Sequence, residues 1–194
     1  MNSELNNLGV RMKRKRFVAV AWSILLLLPF VSGTALSEGG ELARGAELLA
    51  PLKGDLKQAL MAGMQGGPLN AISVCKDQAP AIAASHSVEG VKIGRTSHRL
   101  RNPANLAPDW VDPVLEKYLG EASDRAPVVV SLENNQEGYV EPIVIVPLCL
   151  ACHGKTLEPD VLAHINEAYP EDEATGFDVG DLRGVYWVEY SAAD

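Results

Sequence analysis

The 194-residue sequence predicts an α+β domain, with helices gathered in its first half and an antiparallel sheet in its second. Three observations carry that reading. Apolar residues recur at helical spacing between Glu41 and Ile82, and β-branched runs separated by turn residues begin at Ala126. The regular strand–helix alternation that builds a parallel sheet is not evident.

Ahead of the domain stands a segment of another kind. Arg11-Met12-Lys13-Arg14-Lys15-Arg16 is densely basic, Phe17 to Val31 is apolar and uncharged, and Ser32-Gly33-Thr34-Ala35 is small. Basic, apolar and small residues in that order form the pattern of a secretory signal peptide. The apolar run falls short of the roughly 20 residues a membrane span requires, and Pro29 disrupts its second half. Cleavage near Ala35 makes residues 1–35 a signal peptide and 36–194 a single domain. Without cleavage the same segment is an N-terminal membrane anchor. Either way the domain is expected outside the cytoplasm, in a bacterial periplasm.

Loss of residues 1–35 removes five basic residues and one acidic one, so the formal net charge moves from −8 to −12. A domain that acidic is a poor nucleic-acid binder, because such binding rests on neutralising phosphates. It suits solubility and a basic protein partner.

Leu42, Leu49, Leu52, Leu56, Leu60 and Met64 define the first helix, expected to kink or split at Pro51 and to stop at Gly66-Gly67. A second helix is expected from Pro68, with Ala71, Ile72, Cys75, Ala79 and Ile82 on one face and Cys75 pointing inward. Ile93 to Asn105 reads as a basic loop carrying Arg95, Arg99 and Arg101, with turn chemistry at Asn102-Pro103. Its His98, set among arginines, is expected to face solvent. Asp109 to Leu119 is a short helix packing through Trp110, Val114, Leu115 and Tyr118.

Ala126 to Leu132 and Tyr139 to Val146 form a hairpin across Glu133 to Gly138, and Pro147 closes its second strand. Pro159 to Tyr169 is a helix with His164 exposed. Tyr169 to Gly176 is an acidic loop without EF-hand spacing, read as solvated. A turn at Gly180 to Gly184 leads into a last strand, Val185 to Tyr190.

Cysteine and histidine fall together once, at Cys149-Leu150-Ala151-Cys152-His153. Cys-x-x-Cys-His is the attachment pattern of c-type haem: two thiols form thioethers to the porphyrin, and the adjoining imidazole can bind iron. The alternatives are half of a zinc site or a redox dithiol. Structural zinc wants four ligands, usually from two such pairs, and a thioredoxin-like motif wants a βαβ setting. Export also favours covalent haem, which is assembled outside the bacterial cytoplasm.

Cys75 is then the third cysteine in an oxidising compartment. It is either buried and inert, paired between molecules, or bound to something. A ferric iron with an open sixth position would hold a nearby thiol as thiolate. Met61, Met64 and His98 are the other candidate sixth ligands, with core packing and solvent exposure the plainer readings of each. Arg95 and Arg101 are candidates to receive haem propionates, because guanidinium matches carboxylate with paired hydrogen bonds.

Several segments together resemble a known family. They are Cys75-Lys76-Asp77-Gln78-Ala79-Pro80, Gly94 to Asn105, Pro142-Ile143 leading into Cys149 to Gly154, Tyr169 to Gly176, and Gly180 to Gly184. They resemble an extracytoplasmic family of c-type haem proteins with a PAS-like fold, long catalogued as a domain of unknown function, over roughly Leu42 to Tyr190. The resemblance implies one covalent haem c on Cys149 and Cys152, with His153 as proximal ligand and Cys75 as the distal one. Relatives of this kind occur as free-standing proteins and as sensing ectodomains, and no transmitter domain is evident in this sequence.

Two strong protein ligands leave iron no open position, which argues against an enzyme. A thiolate donor favours ferric iron. The expected function is therefore a low-potential, six-coordinate haem protein in single-electron transfer or redox sensing, with a redox partner that the sequence does not name. The alternative is a sensory module that binds a diatomic gas after the thiolate leaves on reduction. A peroxidase- or reductase-type enzyme would need a vacant axial site.

Overall fold

The computed structural model describes residues 38–192; the expected signal segment, residues 1–35, lies outside the described residues. Three helices come first: α1 (Glu38–Gln65), α2 (Pro68–Asp77) and α3 (Ala79–His86). The strand β1 (Val91–Thr96) follows, then α4 (Asp112–Gly120), β2 (Val128–Leu132) and β3 (Gln136–Val144). The chain closes with α5 (Leu150–His153), α6 (Pro159–Ala168) and β4 (Leu182–Ser191). The expected α+β architecture is the observed one, a single antiparallel sheet of order β1-β4-β3-β2 with helices around it.

Helix α1 runs unbroken through Pro51. The proline lies on the solvent side, where a carbonyl deprived of its partner can be hydrated, while Leu49, Leu52 and Leu56 are buried and hold the helix on the sheet. Each such side chain contributes about 1.5–3 kcal/mol by leaving water. The second expected helix is two. It breaks at Gln78, because Pro80 offers no amide hydrogen to continue α2. Gly67 ends the preceding connection with φ of 88°, a conformation only glycine adopts cheaply.

Period-two alternation assigns the two faces of the sheet. Ile93, Tyr139, Val188 and Tyr190 pack with the leucines of α1 and with Ala79 of α3. Val140, Val185 and Leu182 pack on the other side with Val114, Leu115 and Tyr118 of α4. The last strand of the chain thus becomes a central one, paired with both β1 and β3.

Several boundaries differ from expectation, and the last strand begins at Leu182, inside the expected turn. Val91 to Thr96 is an edge strand rather than loop, and its Ile93 and Thr96 are buried. The hairpin turn is tighter than expected, since Gln136 to Gly138 pair within β3 and the chain reverses at Asn134 and Asn135, with φ of 58° and 57°. Pro142 is tolerated in β3 because pairing with β2 ends at Val140.

Candidate functional site

The site lies past the end of β3. A 3₁₀ turn at Pro147–Cys149 runs directly into α5, so Cys149 and Cys152 stand one helical turn apart and share a face. The motif is pinned to the loop after α6 by backbone bonds. Phe177 N–H donates to the His153 carbonyl and Gly176 N–H to that of Gly154, both at 2.9 Å. Ile145 N–H donates to Asp181 O and Gly180 N–H to Ile145 O, also at 2.9 Å.

Two small apolar clusters flank the cysteines. Cys149 packs with Ile145, Ala174 and Phe177. Cys152 packs with Ile72 of α2 and with Val161, Ile165 and Tyr169 at α6. Through Ile72 the helix carrying Cys75 meets the motif. The sulfurs are near enough for charge on Cys75 to raise the Cys152 pKa, although burial is the larger cause and Arg101 opposes it. Burial likewise pushes the Cys75 thiol up, against the pull of Arg95 and Arg101. No disulfide joins the three cysteines.

His153 Nδ1 lies 2.6 Å from Ala174 O. A carbonyl only accepts, so Nδ1 carries the proton and Nε2 keeps its lone pair. Burial, then the fields of Arg183 and Arg101, hold the ring pKa down to about 3. The imidazole is therefore neutral and preset as a nitrogen ligand.

Four guanidinium groups surround these residues. Arg101 pairs with Asp172, Nε to Oδ1 at 2.8 Å and Nη2 to Oδ2 at 3.2 Å, and both side chains are nearly buried. Arg101 Nη2 also donates to Cys152 O at 2.7 Å and Ala174 O at 3.3 Å. Arg99 donates to the carbonyls of Glu173 and Thr175 and stacks on Phe177. Arg183 bonds Arg99 O, and burial with Arg101 and Arg95 nearby lowers its pKa to about 10. Arg95 pairs in register with Tyr186, and among the described residues its side chain makes no hydrogen bond or ion pair.

The structure thus gathers Cys75, Cys149, Cys152, His153, Arg95 and Arg101 into one neighbourhood. The two arginines differ in what they already do: Arg101 is engaged with Asp172, whereas Arg95 is uncommitted. Met61 is exposed and Met64 half-buried on α1. His98 is exposed, edge-on to Phe177 at 6.0 Å. His164 is less exposed than expected, since Ser73 on α2 lies 3.2 Å from its Nε2. Among the described residues no group of three or more His, Cys, Asp or Glu is placed to hold a metal ion.

The expected solvated loop, Tyr169 to Gly176, needs correction. Tyr169 and Ala174 are buried, and the Asp172 side chain is only 5% exposed. Asp172, Ala174, Phe177 and Arg183 are the site residues that patterning alone did not single out. The available signal was an arginine cluster in an acidic protein, of which Arg101 finds a buried acid in Asp172.

The chain belongs to the Tll0287-like family, whose family model matches residues 27–191. This is the family its motifs resemble. Among solved structures it is similar to the crystal structure of the cyanobacterial heme-protein Tll0287, at 24% identity and a TM-score of 0.54. That match covers 81% of this chain and 99% of the other. No curated protein matches this chain.

Proposed function

We propose that this protein carries one covalently attached c-type haem outside the cytoplasm and passes or senses single electrons with it. The observation that carries the reading is His153: a neutral imidazole, proton fixed on Nδ1, one residue beyond two free thiols that share a helical face. Membership of a family with a heme-protein relative supports the same cofactor. The residues fit the group. Cys149 and Cys152 would form the thioethers, His153 Nε2 would be the proximal donor, and Cys75 the distal one. Uncommitted Arg95 would receive a propionate, with Arg183 nearby.

When bound, the haem supplies a one-electron iron couple. The protein's part would be to offer a nitrogen donor from His153 and a sulfur donor from Cys75, exclude water through the Ile72–Val161–Ile165–Tyr169 cluster, and set the electron donation of each. With His153 and Cys75 both engaged, the protein would serve as a carrier or sensor rather than as an enzyme. The test is a pyridine haemochrome assay on protein expressed with the c-type maturation machinery. A thioether-type spectrum at one haem per chain is expected, and a colourless product refutes the reading.

A second reading, gas sensing, draws on one observation. Burial pushes the Cys75 thiol pKa up, against the pull of Arg95 and Arg101, so without a metal bond this sulfur would carry its proton. Carbon monoxide added to reduced protein separates the two readings: a shifted Soret band favours sensing, and unchanged ligation favours electron transfer.

A further inference from the structure

Resting on the haem reading above, we infer that Arg101 is a positioning residue for the proximal histidine, acting through the carbonyl of Ala174. That oxygen accepts from His153 Nδ1 at 2.6 Å and from Arg101 Nη2 at 3.3 Å. Two donors on one carbonyl compete for its electron density, so the guanidinium weakens the histidine's bond. A weaker Nδ1–H bond leaves the imidazole less imidazolate-like, a poorer donor that favours ferric iron less.

The arrangement is built rather than incidental. Asp172 Oδ1 accepts from Arg101 Nε at 2.8 Å and from Ala174 N–H at 3.1 Å, so one carboxylate fixes both the guanidinium and the peptide beside it. Arg101 also holds the Cys152 carbonyl at 2.7 Å, on the residue just before the histidine. Arg101 is therefore held against the Ala174 oxygen from two sides, by the Asp172 carboxylate and by the Cys152 carbonyl. The planar fork is what permits this, and an ammonium point charge cannot span the same oxygens.

The experiment separates geometry from charge. Arg101→Lys keeps the charge and loses the fork; Lys155→Gln loses an exposed charge two residues from His153 and leaves the fork intact. The His153 Nδ1 proton is followed by NMR in the diamagnetic ferrous protein, and the midpoint potential by spectroelectrochemistry. Arg101→Lys should move the proton downfield and the midpoint negative with the axial ligands unchanged. Lys155→Gln should leave the proton where it is in the parent chain.

An unmoved proton in Arg101→Lys, or an equal displacement in both variants, overturns the inference. If Arg101→Lys does not fold, the double variant Arg101→Gln/Asp172→Asn removes the fork without stranding a charge and carries the same expectation. The haemochrome assay on the parent chain tests the functional reading separately. Should that chain bind no haem, the Nδ1 proton of the haem-free protein still reports on the shared carbonyl.

Discussion

Asp172→Ala is the sharpest test of how this site is held. Its carboxylate is 5% exposed and its partner, Arg101, 12%. Replacing the acid leaves a guanidinium in the interior without its counter-charge and strips the Ala174 amide of an acceptor. Breaking a buried pair from one side costs about 3–5 kcal/mol, against a total stability of about 5–15 kcal/mol for a domain. At roughly 2–4 °C per kcal/mol for a chain of this size, the melting temperature should fall by roughly 6–20 °C. Urea and thermal unfolding followed by circular dichroism measure the loss. Adding Arg101→Met to Asp172→Ala should recover most of it, because the stranded charge is then gone. A loss below about 1 kcal/mol, the range of exposed pairs, would refute the claim that this pair braces the site.

Three further outcomes follow from the same geometry. On the haem reading proposed above, Cys75→Ala should open the sixth coordination position, and an unaltered ferric EPR spectrum in that variant discards that assignment. Gly184→Ala should destabilise the fold by about 1–3 kcal/mol. An added Cβ there meets the carbonyl oxygen of Thr96 on β1, which cannot swing away; a chemical-denaturation midpoint equal to the parent's would contradict this.

In the haem-free chain, His153 has a folded-state pKa of about 3 against 6.5 when unfolded. Its contribution to stability is therefore complete above about pH 6.5 and is lost as pH falls toward 3, by about 1.4 kcal/mol per pH unit. Unfolding measured between about pH 7 and pH 5 should show His153→Asn with a shallower loss than the parent. Parallel curves would mean that the ring titrates normally.

Local chemistry determined what could be read from the chain alone. The motif Cys149 to His153 states its own spacing, and leucines at helical period along α1 state which face is buried. The hairpin is announced by its β-branched runs and its paired asparagines. Tertiary structure decided whatever depended on partners distant in sequence. Ile93 to Thr96 looks like the start of a basic loop until β4, some ninety residues later, pairs with it. The acidic loop after α6 looks solvated until Arg101 reaches Asp172 across 71 positions. Pro51 looks like a break until the packing of its neighbours outweighs one missing hydrogen bond. A sequence displays each residue's own preferences, whereas burial and ion pairing belong to two segments at once and exist only when the fold brings them together.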